Sequence, residues 1–130
     1  MINNFEELEV WKESRNLRIQ VSIVVKTFPI EEKYRITDQL IRASRSITAN
    51  IAEGHGRFHY QENIQFCRQV RGSLSETLDH FICAFDEKYI STDQLNIFRN
   101  QYYLCLKILN GYIAYLQKMK LNELNKPKTT

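Results

Sequence analysis

Apolar residues recur at steps of three and four along most of the chain, and this spacing is typical of one buried face of an α-helix. The clearest series is Leu95, Phe98, Tyr102, Cys105, Leu109, Tyr112, Leu116 and Met119. Turn-forming residues are scarce, with 4 Gly and 2 Pro in 130 residues, whereas an all-β sandwich needs many turns. The sequence therefore predicts an all-α protein.

Breaks in this spacing divide the chain into four predicted helices, at about 5–28, 31–53, 59–87 and 92–121. Pro29 ends the first, because proline lacks the N–H that a helix needs. Gly54 stands where a left-handed cap would end the second. The links are short, so we expect one domain over residues 1–130, an antiparallel up-down-up-down four-helix bundle with a loose tail at 122–130.

The composition excludes several classes of protein. At 43% hydrophobic and 25% charged the chain resembles an ordinary folded domain, and its apolar runs are too short to cross a membrane. The acidic start lacks the pattern of a signal peptide. Three widely spaced cysteines without a C-x-x-C pair suit a reducing compartment. We therefore expect a cytoplasmic protein with no membrane association.

Charge is unevenly distributed along the chain. Residues 33–71 hold seven basic against three acidic side chains, while residues 1–32 and 72–116 each have a small negative balance. The tail from residue 117 is basic again. A segregated basic region indicates an anionic partner, although it says nothing about the fold.

The second predicted helix has small and apolar residues on the flank between its core face and its charged face. These residues are Ile41, Ser44, Thr48 and Ala52. One hypothesis is that they form an oligomer interface, since small residues allow two helices to approach closely. The alternative is a wide core face within a single bundle. The mid-helix glycine of the third helix, Gly72, likewise predicts close approach of a neighbouring backbone.

The run from Gln39 to Arg57, QLIRASRSITANIAEGHGR, resembles the signature of the 23S ribosomal RNA intervening-sequence protein family, also described as a four-helix-bundle ribosomal protein group. Phe28-Pro29 and Gly72-Ser73-Leu74 agree with it, and the resemblance covers nearly all of residues 5–116. It implies a left-handed bundle that assembles into a ring, typically of five subunits, encoded in bacterial 23S rRNA genes. The group is also similar to the nucleic-acid-binding accessory protein of diversity-generating retroelements.

An arginine-rich set is the best candidate for nucleic-acid binding, with ribosomal RNA as the first partner by resemblance. Guanidinium groups donate paired hydrogen bonds to phosphate oxygens. The set comprises Arg35, Arg42, Arg45, Arg57, Arg68 and Arg71. The alternative is that these arginines pair with Asp38, Glu53 and Glu62 and stabilise the bundle and the ring as a protein-interaction scaffold.

Four residues around the predicted turn, Asn50, Glu53, Gly54 and Gly56, form a structural motif. We expect Asn50 to bond backbone groups near the helix end and Glu53 to pair with an arginine such as Arg57 or Arg42. The alternative is a phosphate cradle at Gly54-x-Gly56. It lacks the Gly-Lys-Ser/Thr ending of a nucleotide-binding loop and follows a helix, so nucleotide hydrolysis is not expected.

No catalytic, metal or cofactor site is predicted. The spacing of His55, His59 and Glu62 approaches that of a metal trio, but di-iron bundles use Glu-x-x-His pairs and none occurs here. We therefore expect a non-enzymatic protein, with a metal-dependent bundle enzyme as a remote alternative.

Overall fold

The computed structural model describes residues 4–127, and within them all regular structure is helical. Short 3-10 turns flank the first helix and precede the second, at Phe5–Glu7, Val25–Thr27 and Ile30–Glu32. The α-helices of this part of the chain are α1 (Glu9–Val24), α2 (Ile36–Gly56), α3 (Tyr60–Asp86) and α4 (Thr92–Leu124). The all-α prediction is confirmed.

Neighbouring helices run in opposite directions. Between α3 and α4, Asn63 bonds to Tyr112 and Phe81 stacks on Phe98, so residue numbers rise along one helix as they fall along the other. The links 57–59 and 87–91 are long enough only to reverse the chain. Since α1 also packs against both α2 and α4, the four helices close into a bundle.

The core lies along the axis of this bundle and draws on all four helices. Leu17, Leu40, Leu74 and Leu109 have no exposed surface. Burying each such side chain contributes roughly 1.5–3 kcal/mol of transfer free energy. The four long helices thus share one core, and their outer faces carry the polar side chains.

Several helix boundaries differ from the prediction. α1 is shorter than 5–28, because its first and last predicted turns adopt 3-10 geometry. α2 begins at Ile36 rather than at 31 and ends at Gly56 rather than at 53. α4 continues to Leu124, so 122–124 are helical, 125–127 follow as a turn, and 128–130 of the predicted loose tail lie outside the described residues.

The prediction that Gly54 caps α2 in a left-handed conformation is wrong. Gly54 is buried and helical, and a Cβ there would lie 2.7 Å from Asn63 Oδ1 and 2.8 Å from Phe66 Cβ. The close approach expected at Gly72 is also wrong, since a Cβ there would meet nothing within 4 Å. The residue that reverses the chain after α2 in a left-handed conformation is Phe58, with φ 59°.

Candidate nucleic-acid interface

The structure separates the six predicted arginines into two groups. One group lies at the α2–α3 link and on α3. Arg57 Nη2 lies 2.8 Å from Glu53 Oε1, and its guanidinium sits over the Phe66 ring at 5.3 Å. Arg71 Nη2 donates to Asn110 Oδ1 of α4 at 2.8 Å. These arginines already have protein partners.

Arg68 belongs to the same group. Its Nη1 donates to Gln65 Oε1 of its own helix at 3.3 Å, and both side chains are exposed. Glu62, a predicted partner of the arginines, is exposed and forms no ion pair within residues 4–127. The side-chain partners of these three arginines are therefore one carboxylate, that of Glu53, and two neutral amides.

The second group lies in the first half of α2 and at the residue that precedes it, Arg35. Arg35, Arg42 and Arg45 are all exposed. Arg42 Nη1 is 3.6 Å from Asp38 Oδ2, but the Arg42 side chain is 80% exposed, so this pair contributes little to stability. Within residues 4–127, Arg35 and Arg45 form no ion pair.

Of the six predicted arginines, Arg45 alone lines a groove between α1 and α2, which we call the basic groove. Its volume is about 730 Å³. Among its lining residues, Asp38 is the sole carboxylate and it is shared with Arg42. The cationic lining residues are Arg18, Lys26, Lys33 and Arg45. Repeated cations facing one groove provide a surface for phosphate groups.

The contribution of α1 to the basic groove is not apparent from the sequence. Residues 1–32 have a negative balance, which hides Arg18 and Lys26. One pattern in the sequence could have indicated it. Arg18, Ser22 and Lys26 follow one another at steps of four, which places three polar side chains on one face of a helix.

Two of the four predicted interface residues are covered by their own chain. Ser44 is 1% exposed and Thr48 is 4% exposed, and Arg18 Nη1 of α1 donates to Thr48 Oγ1 at 2.8 Å. For these two positions the structure shows the alternative, a wide core face. Ile41 and Ala52 are half-buried and keep accessible surface, so self-association through them stays a prediction.

The predicted structural motif lies within the last turns of α2. Asn50 Nδ2 donates to the carbonyl oxygen and to Oγ of Ser46, both at 2.9 Å. Because Gly54 and Gly56 are helical, their N–H groups point along the helix and do not form a phosphate cradle. His55 and His59 line a separate cavity. Within residues 4–127, no three His, Cys, Asp or Glu side chains cluster as metal ligands.

The fold and the site together define the class of the protein, an antiparallel four-helix bundle with a basic groove on one face. In a comparison with protein families, residues 6–111 match the family model described as 23S rRNA-intervening sequence protein. The chain belongs to this family, and the resemblance found in the sequence is confirmed. A search among curated proteins finds no match. Among residues 4–127 no helix has the length and apolarity to traverse a bilayer.

Proposed function

We propose that the protein is a non-enzymatic, cytoplasmic, homo-oligomeric bundle that associates with RNA through the basic groove. The observation that supports the proposal is the lining of this groove, in which four cations face one carboxylate. That carboxylate, on Asp38, also faces Arg42, so the groove keeps an excess of positive charge. Ribosomal RNA is the first candidate, given the family to which the chain belongs.

The mechanism is electrostatic and largely independent of RNA sequence. Arg45 and Lys33 neutralise phosphates and release the counterions condensed on the RNA, so affinity falls as salt is raised. Arg18 lines the groove, and its hydrogen bond to Thr48 holds its guanidinium in position. A ring of copies, with five subunits as the number that the resemblance implies, would multiply a modest affinity by avidity.

The test is RNA binding by fluorescence anisotropy across a salt series, on wild type, Arg45→Glu and the matched control Arg71→Glu. Arg71 bonds to Asn110 away from the groove. We expect Arg45→Glu to weaken binding about tenfold. The slope of the logarithm of the binding constant against the logarithm of the salt concentration should also decrease, by the equivalent of roughly one phosphate contact. The control should bind as wild type does. Equal binding by all three proteins would contradict the proposal.

The alternative is a protein-interaction scaffold, or a retroelement-accessory-like protein, without direct RNA binding. The Arg57–Glu53 pair favours it, because that arginine has a structural partner. Under this alternative Arg45→Glu lowers the solution mass by light scattering, and the wild type does not bind RNA at any salt concentration. Under the RNA proposal the mass of Arg45→Glu is that of the wild type.

A further inference from the structure

A second cavity lies at the end of the bundle where α2 ends and α3 begins, and we call it the aromatic cavity. Its volume is about 790 Å³, and it shares no lining residue with the basic groove. Both aromatic rings and hydrogen-bonding side chains line it. Those that matter here are His55, Phe58, His59, Tyr112, Tyr115 and Asn122.

Phe58 is held in a conformation that is unfavourable for its residue type. Its φ is 59°, in the left-handed region where a bulky side chain is an outlier and where glycine is the usual residue. Its side chain is 89% exposed, so packing within the chain does not compensate for the strain. Strained backbone of this kind concentrates at binding sites. The phenyl ring lines the aromatic cavity and keeps surface available for a ligand.

Helix α4 supplies two further rings to the cavity lining. Tyr112 and Tyr115 have ring centroids 6.5 Å apart and planes inclined by 22°. Asn63 Nδ2 donates to the Tyr112 hydroxyl at 3.0 Å and fixes that ring, whereas Tyr115 is 53% exposed. Phe58 and Tyr115 are therefore two exposed aromatic side chains that line the same cavity.

We propose that the aromatic cavity binds an unpaired nucleobase, stacked on Phe58 or Tyr115. A flat heterocycle uses the ring faces, while its edge hydrogen-bonds to the imidazoles of His55 and His59 or to the amide of Asn122. A purely apolar occupant would leave those polar groups unpaired on burial. The base can come from a free nucleotide, which is independent of the proposed function, or from an RNA strand, which rests on it.

The experiment is isothermal titration of the full chain with adenosine monophosphate and, separately, with a short single-stranded oligoadenylate. The variants are Phe58→Gly and Tyr115→Ala, which each remove one exposed ring. The matched control is Tyr103→Ala, which removes a 57% exposed ring of α4 outside this cavity. We expect the variant that removes the stacking ring to weaken binding about tenfold and Tyr103→Ala to leave binding unchanged.

The outcomes separate the two sources of the base. Binding of the monophosphate that is weakened by Phe58→Gly or Tyr115→Ala identifies a free-nucleotide site. Binding of the oligonucleotide alone, weakened by one of these same variants, identifies an unpaired base of RNA. Phe58→Gly relieves the left-handed strain, so thermal melting should show it folded. The proposal is overturned if neither probe binds, or if both cavity variants bind as wild type does. RNA binding by the basic groove is tested separately with Arg45→Glu, and this variant should bind the monophosphate as wild type does.

Discussion

At the residue scale, burial divides the three cysteines into two kinds. Cys67 and Cys105 are buried in the core, while Cys83 is exposed on α3. Desolvation raises the pKa of Cys67 from 9.0 to about 12, against a smaller opposing effect of Arg71. Desolvation likewise raises the pKa of Cys105 to about 11. Partial desolvation, and after it three nearby carboxylates, raise the pKa of Cys83.

We predict that a thiol reagent at mildly alkaline pH modifies Cys83 alone in the folded protein. The thiolate is the nucleophile, and the buried thiols stay protonated and inaccessible. Counting modified thiols by mass spectrometry checks this, with all three reacting in denaturant. In Cys83→Ser no thiol should react before unfolding. A fast-reacting thiol in that variant would contradict the burial of Cys67 or Cys105.

The same pKa shifts make stability depend on alkaline pH. An unfolded thiol ionises near its ordinary pKa of 9.0, whereas Cys67 in the folded chain holds its proton to about pH 12. The unfolded state therefore loses protons first, and the stability present below pH 9 is lost as pH rises toward 12. Melting temperatures across that range should fall, and the fall should be shallower in Cys67→Ala.

At the scale of the element, Gly54 sets the distance between α2 and α3. We predict that Gly54→Ala lowers the free energy of unfolding by about 1–3 kcal/mol, because overpacking forces the helices apart. The added methyl group would lie 2.8 Å from Phe66 Cβ, which can move only with its backbone. Gly72→Ala is the control. Nothing lies within 4 Å there, so better helix propensity should raise stability by up to about 1 kcal/mol.

Urea denaturation of both variants measures these two changes. Opposite signs are expected from the same chemical substitution at two helical glycines. Equal effects would mean that helix propensity alone decides both positions, and the contact of Gly54 with α3 would then have no energetic weight.

The helices themselves follow from the sequence, while their contacts do not. On α4 the apolar spacing identifies Phe98, Leu109 and Leu116, and all three are buried. Gly54 was predicted to be a cap because a glycine at a helix end and a glycine at a close helix contact look alike in sequence. Only the position of Phe66 on the neighbouring helix distinguishes them.

The candidate sites show the same limit. Arg45 could be predicted from its helix face, but the basic groove also needs Arg18 from α1, where summed charge is negative. No sequence pattern predicts a phenylalanine at positive φ, so Phe58 is not among the predicted site residues. Both features depend on which helix is neighbour to which, and periodicity within one helix carries no such information.

At the scale of the whole molecule, the position of each predicted interface residue decides what self-association would cover. Ile41 lines the basic groove, so a second copy packed on Ile41 would close that groove to RNA. Ala52 lies eleven residues further along α2, about 16 Å away. Ala49 and Gly56 line the same shallow cavity, and the Glu53–Arg57 ion pair lines it as well. A copy packed around Ala52 would leave the groove open, which makes this end of α2 the interface compatible with RNA binding.

We therefore predict that the protein has a solution mass several times 15.5 kDa by light scattering, and that Ala52→Glu lowers it. In the predicted contact between two copies, a glutamate at this position would be buried without a partner of opposite charge, and burying an unpaired charge is costly. Ala114→Glu, the same change on the exposed face of α4, is the control and should keep the wild-type mass. If Ala52→Glu assembles as wild type does while an Ile41→Glu variant does not, the copies pack over the basic groove. Assembly and RNA binding would then exclude each other.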